Sequence, residues 1–325
     1  MGVTTLRSSP RRRWEMLDLR RMMLLSDLAD LGSVTAVAEH RNITSSAVSQ
    51  QLRVLESEIG AALFRRDGRT LGLTRSGQVL AEHVRRVLAA VDEAVSAVAE
   101  TRGRVAGQVA IATFNMGVPT LAVPLMQRLR IEQPNLRVQV QQDTSAAALR
   151  LLRQGEVDVA ITCRYDFVAP TSTGGLTSVP LLFEPFVLLA STQAQLRVRS
   201  HGLSALADGF WVTGPPGSGL DVAVTHACES AGFTPQIKHR LIGAQNICEL
   251  AATEVASAIV PRLSVPSKLE GLIVEGLTLG GRTVSAVVRA GRQRDPNIAV
   301  ILHSLQVIAD QALDGKSTAP LDVAS

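Results

Sequence analysis

Between residues 44 and 53 the chain places hydroxyls at Thr44, Ser45, Ser46 and Ser49, an amide at Gln50 and a guanidinium at Arg53. Together, such groups hydrogen-bond the donor and acceptor edges of bases and hold phosphates. Ala47, Val48, Leu52 and Leu55 recur at helical spacing among them, so one short helix must carry an apolar face and a hydrogen-bonding face. Residues 33 to 58 read as two short helical patterns separated by a turn around Arg41 and Asn42, the pattern of a DNA-reading helix-turn-helix.

Other chemistry finds little support. Cys163, Cys228 and Cys248 form no CxxC or Cys/His cluster, the six histidines are scattered without HExxH spacing, and no metal site or cofactor is expected. Two readings stand for the thiols: three partly buried apolar side chains, or a redox-sensing pair of Cys228 and Cys248. No GxSxG, P-loop or GxGxxG occurs, and Pro215-Pro216-Gly217-Ser218-Gly219 is too short for a P-loop. No His and carboxylate recur at paired catalytic spacing, so the chain reads as a non-enzyme.

The elements that must position these side chains follow from composition and period. At 325 residues, 46% hydrophobic and 19% charged, the chain can fold into two or three domains. It has no apolar run long enough to span a membrane and no secretory apolar segment after its Arg-rich start, which places it in the cytoplasm. Residues 1 to 104 carry 16 Arg against 12 acidic residues, a net of +4, while the remainder is neutral with 17 of each sign. The whole basic excess therefore lies around the helix-turn-helix, where it suits phosphates.

Residues 1–15 are expected as a disordered basic arm, with Met16 as an alternative start. A first helix packs Leu17, Leu24, Leu28 and Leu31 inward. Gly60 closes the reading helix. Residues 63 to 74 hold two apolar edges around Asp67-Gly68, the sequence of a hairpin or wing carrying Arg65, Arg66 and Arg69. Thr74 caps a long helix to about Arg102, on which Ala81, Val84, Leu88, Val91, Val95 and Val98 form a 3-4-3-4-3 seam. That seam fits a partner helix, hence a homodimer, or a stripe packed on the chain's own body.

From Gly107 strands and helices alternate as in parallel α/β sheets. Strands are expected at 108–112, 136–142, 157–162, 186–190, 210–212, 237–241, 256–260 and 284–289. Helices are expected at 118–132, 147–154, 220–231, 245–253 and 297–311, and a flexible tail at 312–325.

The run Thr44 to Glu56, the wing from Leu63 to Gly77 and the long helix together resemble the LysR-type transcriptional regulators, and the similarity covers nearly the whole chain after Met16. Gln154 to Ile161 and Gly217-Ser218-Gly219 add weaker signatures. The resemblance implies a winged helix-turn-helix at 16–74, a linker and dimerisation helix at 75–103, and an effector-binding domain at 107–311 resembling periplasmic binding proteins. Lobe I would be 107–180 with 284–311, lobe II 181–283, with crossings near Val179-Pro180 and Gly280 to Arg282. Two departures stand out. Gln50 replaces an Arg common in relatives, which favours adenine over guanine by amide geometry. Glu254 to Ser257 replaces a Gly-rich turn.

For double-stranded DNA, Ser46, Ser49 and Gln50 are expected at base edges, with Thr44, Ser45, Arg53, Arg65, Arg66 and Arg69 at phosphates; helix capping by Thr44 and a merely solvated wing are the plainer alternatives. For a small-molecule effector, strand ends and helix starts nominate Thr113, Phe114, Asn115, Ser145, Arg164, Thr213, Gly214, Ser218 and Asn246. Capping accounts for several of these equally well, and an ion pair with Asp166 would account for Arg164. The expected assembly is a homodimer through the linker helix and a homotetramer, with RNA polymerase as a further partner. Two alternatives remain open: a regulator whose second domain only oligomerises, and an α/β binding protein or enzyme with a helical appendage.

Overall fold

The computed structural model describes residues 17–67, 70–168 and 174–317, and the chain divides into two compact units after Val95. The expected basic arm lies outside the described residues, as does Arg69.

The first unit begins with three helices, each started and stopped by local chemistry. In α1 (Leu19–Leu31) the Asp18 carboxylate accepts from Arg20 N at 2.7 Å, and Gly32 ends the helix at φ 73°. In α2 (Val34–Arg41) Ser33 caps the start and Asn42 takes the left-handed stop at φ 53°. In α3 (Ser45–Ile59) Thr44 Oγ1 accepts from Ala47 N at 3.2 Å and Gly60 closes the end. Such caps contribute about 1 kcal/mol each.

Leu24, Leu25, Leu28, Val37, Val48, Leu52 and Leu55 are buried in one core, where each such side chain stabilises by roughly 1.5–3 kcal/mol. Ion pairs brace its rim: Arg41 with Asp27 at 2.6 Å, Arg21 with Glu58 at 2.7 Å and Arg85 with Asp30 at 2.6 Å. Strands β1 (Phe64–Asp67) and β2 (Thr70–Leu73) form the expected hairpin. Glu56 Oε1 accepts from Leu63 N at 2.7 Å and Phe64 N at 3.2 Å, tying β1 to α3. Helix α4 (Arg75–Arg102) starts at Thr74; a Cβ on Gly77 would lie 2.2 Å from the Leu63 carbonyl, so only glycine lets this first turn touch the hairpin.

In the second unit β3 (Gly107–Thr113) lies parallel between β4 (Leu136–Gln142) and β5 (Val159–Tyr165). A π-turn at Val118–Ala122 leads into α5 (Val123–Glu132), which packs with α10 (Pro296–Ser317) on one face of these strands. Helix α6 (Ser145–Gln154) covers the other.

Strand β6 (Leu176–Leu189) then runs through both lobes. Its first part pairs antiparallel with β11 (Gly281–Arg289), and its end pairs with β9 (Ala258–Pro261) on one side and β10 (Ile273–Val274) on the other. The β6/β11 register slips at Val284/Ser285, which leaves Leu181 without a ladder partner. Leu181 and Leu182 pack in the core of the first lobe and Phe186 in that of the second. Helix α7 (Thr192–His201), strand β7 (Phe210–Thr213), helix α8 (Gly219–Ser230), strand β8 (Gln236–Arg240) and helix α9 (Ala244–Ala251) complete the second lobe. A bridge from Trp211 to Ser257 links the β7/β8 pair to its sheet.

Several expectations need correction. Strand β6 starts ten residues before the expected 186–190, while α7 and β10 were not expected at all. The tail expected from residue 312 is helical to Ser317. Residues beyond 317 lie outside the described residues. The seam on α4 divides: Ala81 and Val84 are buried in the unit's own core, whereas Val91, Val95 and Val98 are exposed. At the Glu254 to Ser257 turn, Glu254 adopts φ 64°, a left-handed conformation that glycine takes without strain.

Candidate nucleic-acid interface and effector cleft

Helix α3 presents the two faces expected of it. Val48, Leu52 and Leu55 are at most 1% exposed, while Ser45, Ser46, Gln50 and Arg53 face solvent and Ser49 is half-buried. Ser45, Ser49, Gln50 and Arg53 have no hydrogen-bond or ion-pair partner among the described residues, so their polar atoms stand free for a ligand. Thr44 is spent on capping; its Oγ1 also lies 2.9 Å from Ser46 Oγ, which orients that hydroxyl. Arg65 is exposed on β1 opposite Gly72, and Arg66 is opposite Leu71.

In the second unit the strand-end residues separate into groups. Thr113 and Thr213 end β3 and β7, each buried with a hydroxyl that has no partner among the described residues. Phe114 is buried beneath the Arg282 guanidinium, 4.9 Å from its ring centroid. Ser145 Oγ accepts from Cys163 N at 3.1 Å and lies 3.6 Å from Cys163 Sγ, so it ties α6 to β5. Ser218 caps α8 by accepting from Asp221 N at 3.3 Å, and a Cβ on Gly214 would lie 2.3 Å from Ser218 Oγ, which explains the glycine. Asn115 and Asn246 are exposed; Asn246 Nδ2 donates to Ile242 O at 2.8 Å, locking the turn before α9. Arg164 is exposed and pairs with no carboxylate among the described residues, Asp166 included.

The centre of the cleft is made by residues the sequence reading passed over. Alternation along β5 puts Cys163 and Tyr165 on one face and Arg164 on the other. Arg282 on β11 stands opposite Tyr165 on β5 and opposite Glu184 on β6, which brings three distant segments together. Arg282 Nη2 and Glu184 Oε2 approach to 2.6 Å with side chains 6% and 2% exposed, and Glu184 Oε1 also accepts from Leu263 N at 2.9 Å. Burial alone would lower the Arg282 guanidinium, but Glu184 beside it, with lesser contributions from Cys163 and Tyr165, holds it above its ordinary value and therefore charged.

Tyr165 reaches from the first lobe to the second. Its ring stacks on Phe186 at 5.9 Å and 8°, and lies so close to the first turn of α8 that a Cβ on Gly219 would be 2.1 Å from Cζ. Burial pushes its phenol up to about 12. Cys228, by contrast, is a core thiol pushed up to about 12 by burial, and Cys248 lies in a separate cluster, which speaks against the paired redox reading.

A hydrogen-bonding helix beside a hairpin, followed by a two-lobed α/β unit with a polar seam between its lobes, is an arrangement shared with known proteins. The family model described as the bacterial regulatory helix-turn-helix protein of the lysR family matches residues 19–78, and the one described as the LysR substrate binding domain matches residues 102–307. The chain belongs to the LysR family of DNA-binding transcriptional regulators.

It is 31% identical over 176 residues to the nitrogen assimilation regulatory protein nac of Klebsiella aerogenes, covering 54% of this chain and 56% of that one. It is 25% identical over 283 residues to a probable hydrogen peroxide-inducible genes activator of Mycobacterium avium, covering 82% and 89%. A full-length OxyR variant from Pseudomonas aeruginosa shares the fold, with a TM-score of 0.58 at 19% identity over 90% of this chain and 95% of that one. No helix among the described residues is long and apolar enough to cross a membrane, and no group of His, Cys, Asp or Glu among them could hold a metal.

Proposed function

We propose that this LysR-family chain reads double-stranded DNA with the exposed face of α3 and that a small molecule bound between its lobes alters that reading. The observation that carries the first part is the division of α3 itself. Val48, Leu52 and Leu55 are committed to the core, while Ser49, Gln50 and Arg53 are left without partners among the described residues. Ser46, Ser49 and Gln50 reach base edges; Ser45 and Arg53, with Arg65, Arg66 and Arg69 of the wing, hold phosphates. Thr44 acts as the cap that aims the helix.

The exposed valines of α4, Val91, Val95 and Val98, support pairing of two chains through that helix, which would present two reading heads to a two-part operator. Tetramers then arise by pairing of dimers. The domain limits 16–74, 75–103 and 107–311 suit this division of labour.

The buried hydroxyls of Thr113 and Thr213, unpartnered among the described residues at the strand ends of the two lobes, support an effector site in the cleft with Phe114 and Ser145. Capping and turn bonds already engage Ser218 and Asn246. Closure of the lobes on an effector would shift the population of reading-competent assemblies rather than perform a reaction.

Selection of bound sequences from a random duplex library tests the reading helix. The Gln50→Ala variant should lose discrimination at one base pair by about tenfold, the lower part of the range for a two-bond base contact. An equal loss of affinity on every sequence would remove Gln50 from the base-reading set.

A further inference from the structure

Beside the strand crossing lies a cavity of about 320 Å³ whose lining shares no residue with those nominated for the effector cleft. It is lined by Asp166 and Phe167, just past the end of β5, by His226 and Ser230 in the second half of α8, and by Leu279 and Gly280 at the approach to β11. Its walls therefore come from both lobes, and its volume falls at the small end of those that hold ligands.

Three features give it one preference. The Asp166 carboxylate is exposed, has no hydrogen-bond or ion-pair partner among the described residues, and stands 3.9 Å from where a Cβ on Gly280 would be. The carboxyl end of α8, a 12-residue helix, faces the same space and adds the negative end of its dipole. Phe167 and His226 pack ring to ring at 5.1 Å, which offers a π surface over which a planar cation is attracted. No Lys or Arg among the described residues lines the cavity, so an anion would meet repulsion there without compensation.

The geometry points to a second small-molecule site at this position, distinct from the effector cleft, for a small planar organic cation of the amidinium, guanidinium or arylammonium class. Its polar end pairs with Asp166 and its flat part lies against Phe167 and His226. Because the ligand would touch residues of both lobes, it would favour one lobe arrangement over another. That regulatory sense rests on the reading proposed above, whereas binding itself does not.

Titration calorimetry of the full chain at low salt with benzamidinium tests the site, with benzamide as the neutral isostere and benzoate as the charge-reversed one. Benzamidinium should bind at one site per chain. Benzamide and the Asp166→Asn variant should each weaken binding about fivefold, the loss expected for a solvent-accessible ion pair. Ser230→Arg, which tethers a guanidinium at the rim, should abolish binding while operator affinity measured in parallel stays intact. Undiminished binding in Asp166→Asn, or benzoate binding as well as benzamidinium, would overturn the assignment. So would undiminished binding in Ser230→Arg. An operator-binding defect in the wild-type chain would instead count against the regulator reading alone.

Discussion

The reading helix and the interlobe cleft both concentrate polar side chains, yet they treat them in opposite ways. On α3 the polar atoms of Ser49, Gln50 and Arg53 have no partner among the described residues, and the helix is held from behind by Val48, Leu52 and Leu55. In the cleft the charged pair Arg282 and Glu184 is buried and its members satisfy each other, so that polarity there holds the two lobes in register. Exposed recognition groups can change without cost to the fold, while buried ones cannot, because an uncompensated charge in the interior is expensive.

The sharpest break of this contrast is Arg282→Met. Removing one partner of a buried pair strands Glu184 and should cost about 3–5 kcal/mol in denaturant unfolding, whereas Arg53→Ala on α3 should stay within about 0.5 kcal/mol. Equal effects would mean that the cleft pair is screened like a surface one.

Next in size is pH. Burial raises the Tyr165 phenol from 10.0 to about 12, so the native state favours the protonated form. Stability from this group is complete below pH 10 and is lost as pH rises through 12, by roughly 2–3 kcal/mol. Tyr165 is the chain's single tyrosine, so phenolate absorbance near 295 nm reports it alone. Ionisation near pH 10 with the fold intact would show the ring to be solvent-accessible.

Smaller still is Gly219→Ala, which places a methyl 2.1 Å from Tyr165 Cζ and should destabilise by about 1–3 kcal/mol. Pairing it with Tyr165→Leu should recover most of that loss, since the two changes act on one contact. Simple additivity of the two effects would separate the ring from the helix start.

The same contrast governs what was legible in the sequence. The α3 face lies within ten residues and follows the helical period, so Thr44, Ser49, Gln50 and Arg53 could be named from spacing alone. The cleft pair joins Glu184 to Arg282 across 98 residues, and no local period connects them. At β5 the sequence reading chose Arg164, the only formal charge within the strand, although alternation carries its neighbours Cys163 and Tyr165 inward.

Strand β6 was hidden by Pro180 and Pro185, residues that ordinarily interrupt a ladder. Pro180 sits beside the register slip and Pro185 opposite Gly281 at the end of β11, positions where the missing N–H is tolerated. Helix α7 was missed because its sequence is mostly polar and only Ala194, Gln195 and Val198 are buried. The parallel strands β3, β4 and β5 were clear, each being a compact apolar or alternating run between turn residues.

The lone unladdered residue Leu181 gives the effector-binding unit a mechanical character. Strands β6 and β11 form the ladder that joins the lobes, and its single slip lies where β11 is also paired to β5, inside the first lobe's sheet. A bulge of this kind adds local twist to the strand that carries it, so Leu181, anchored in the first lobe's core, sets the angle at which β6 leaves that lobe for the second.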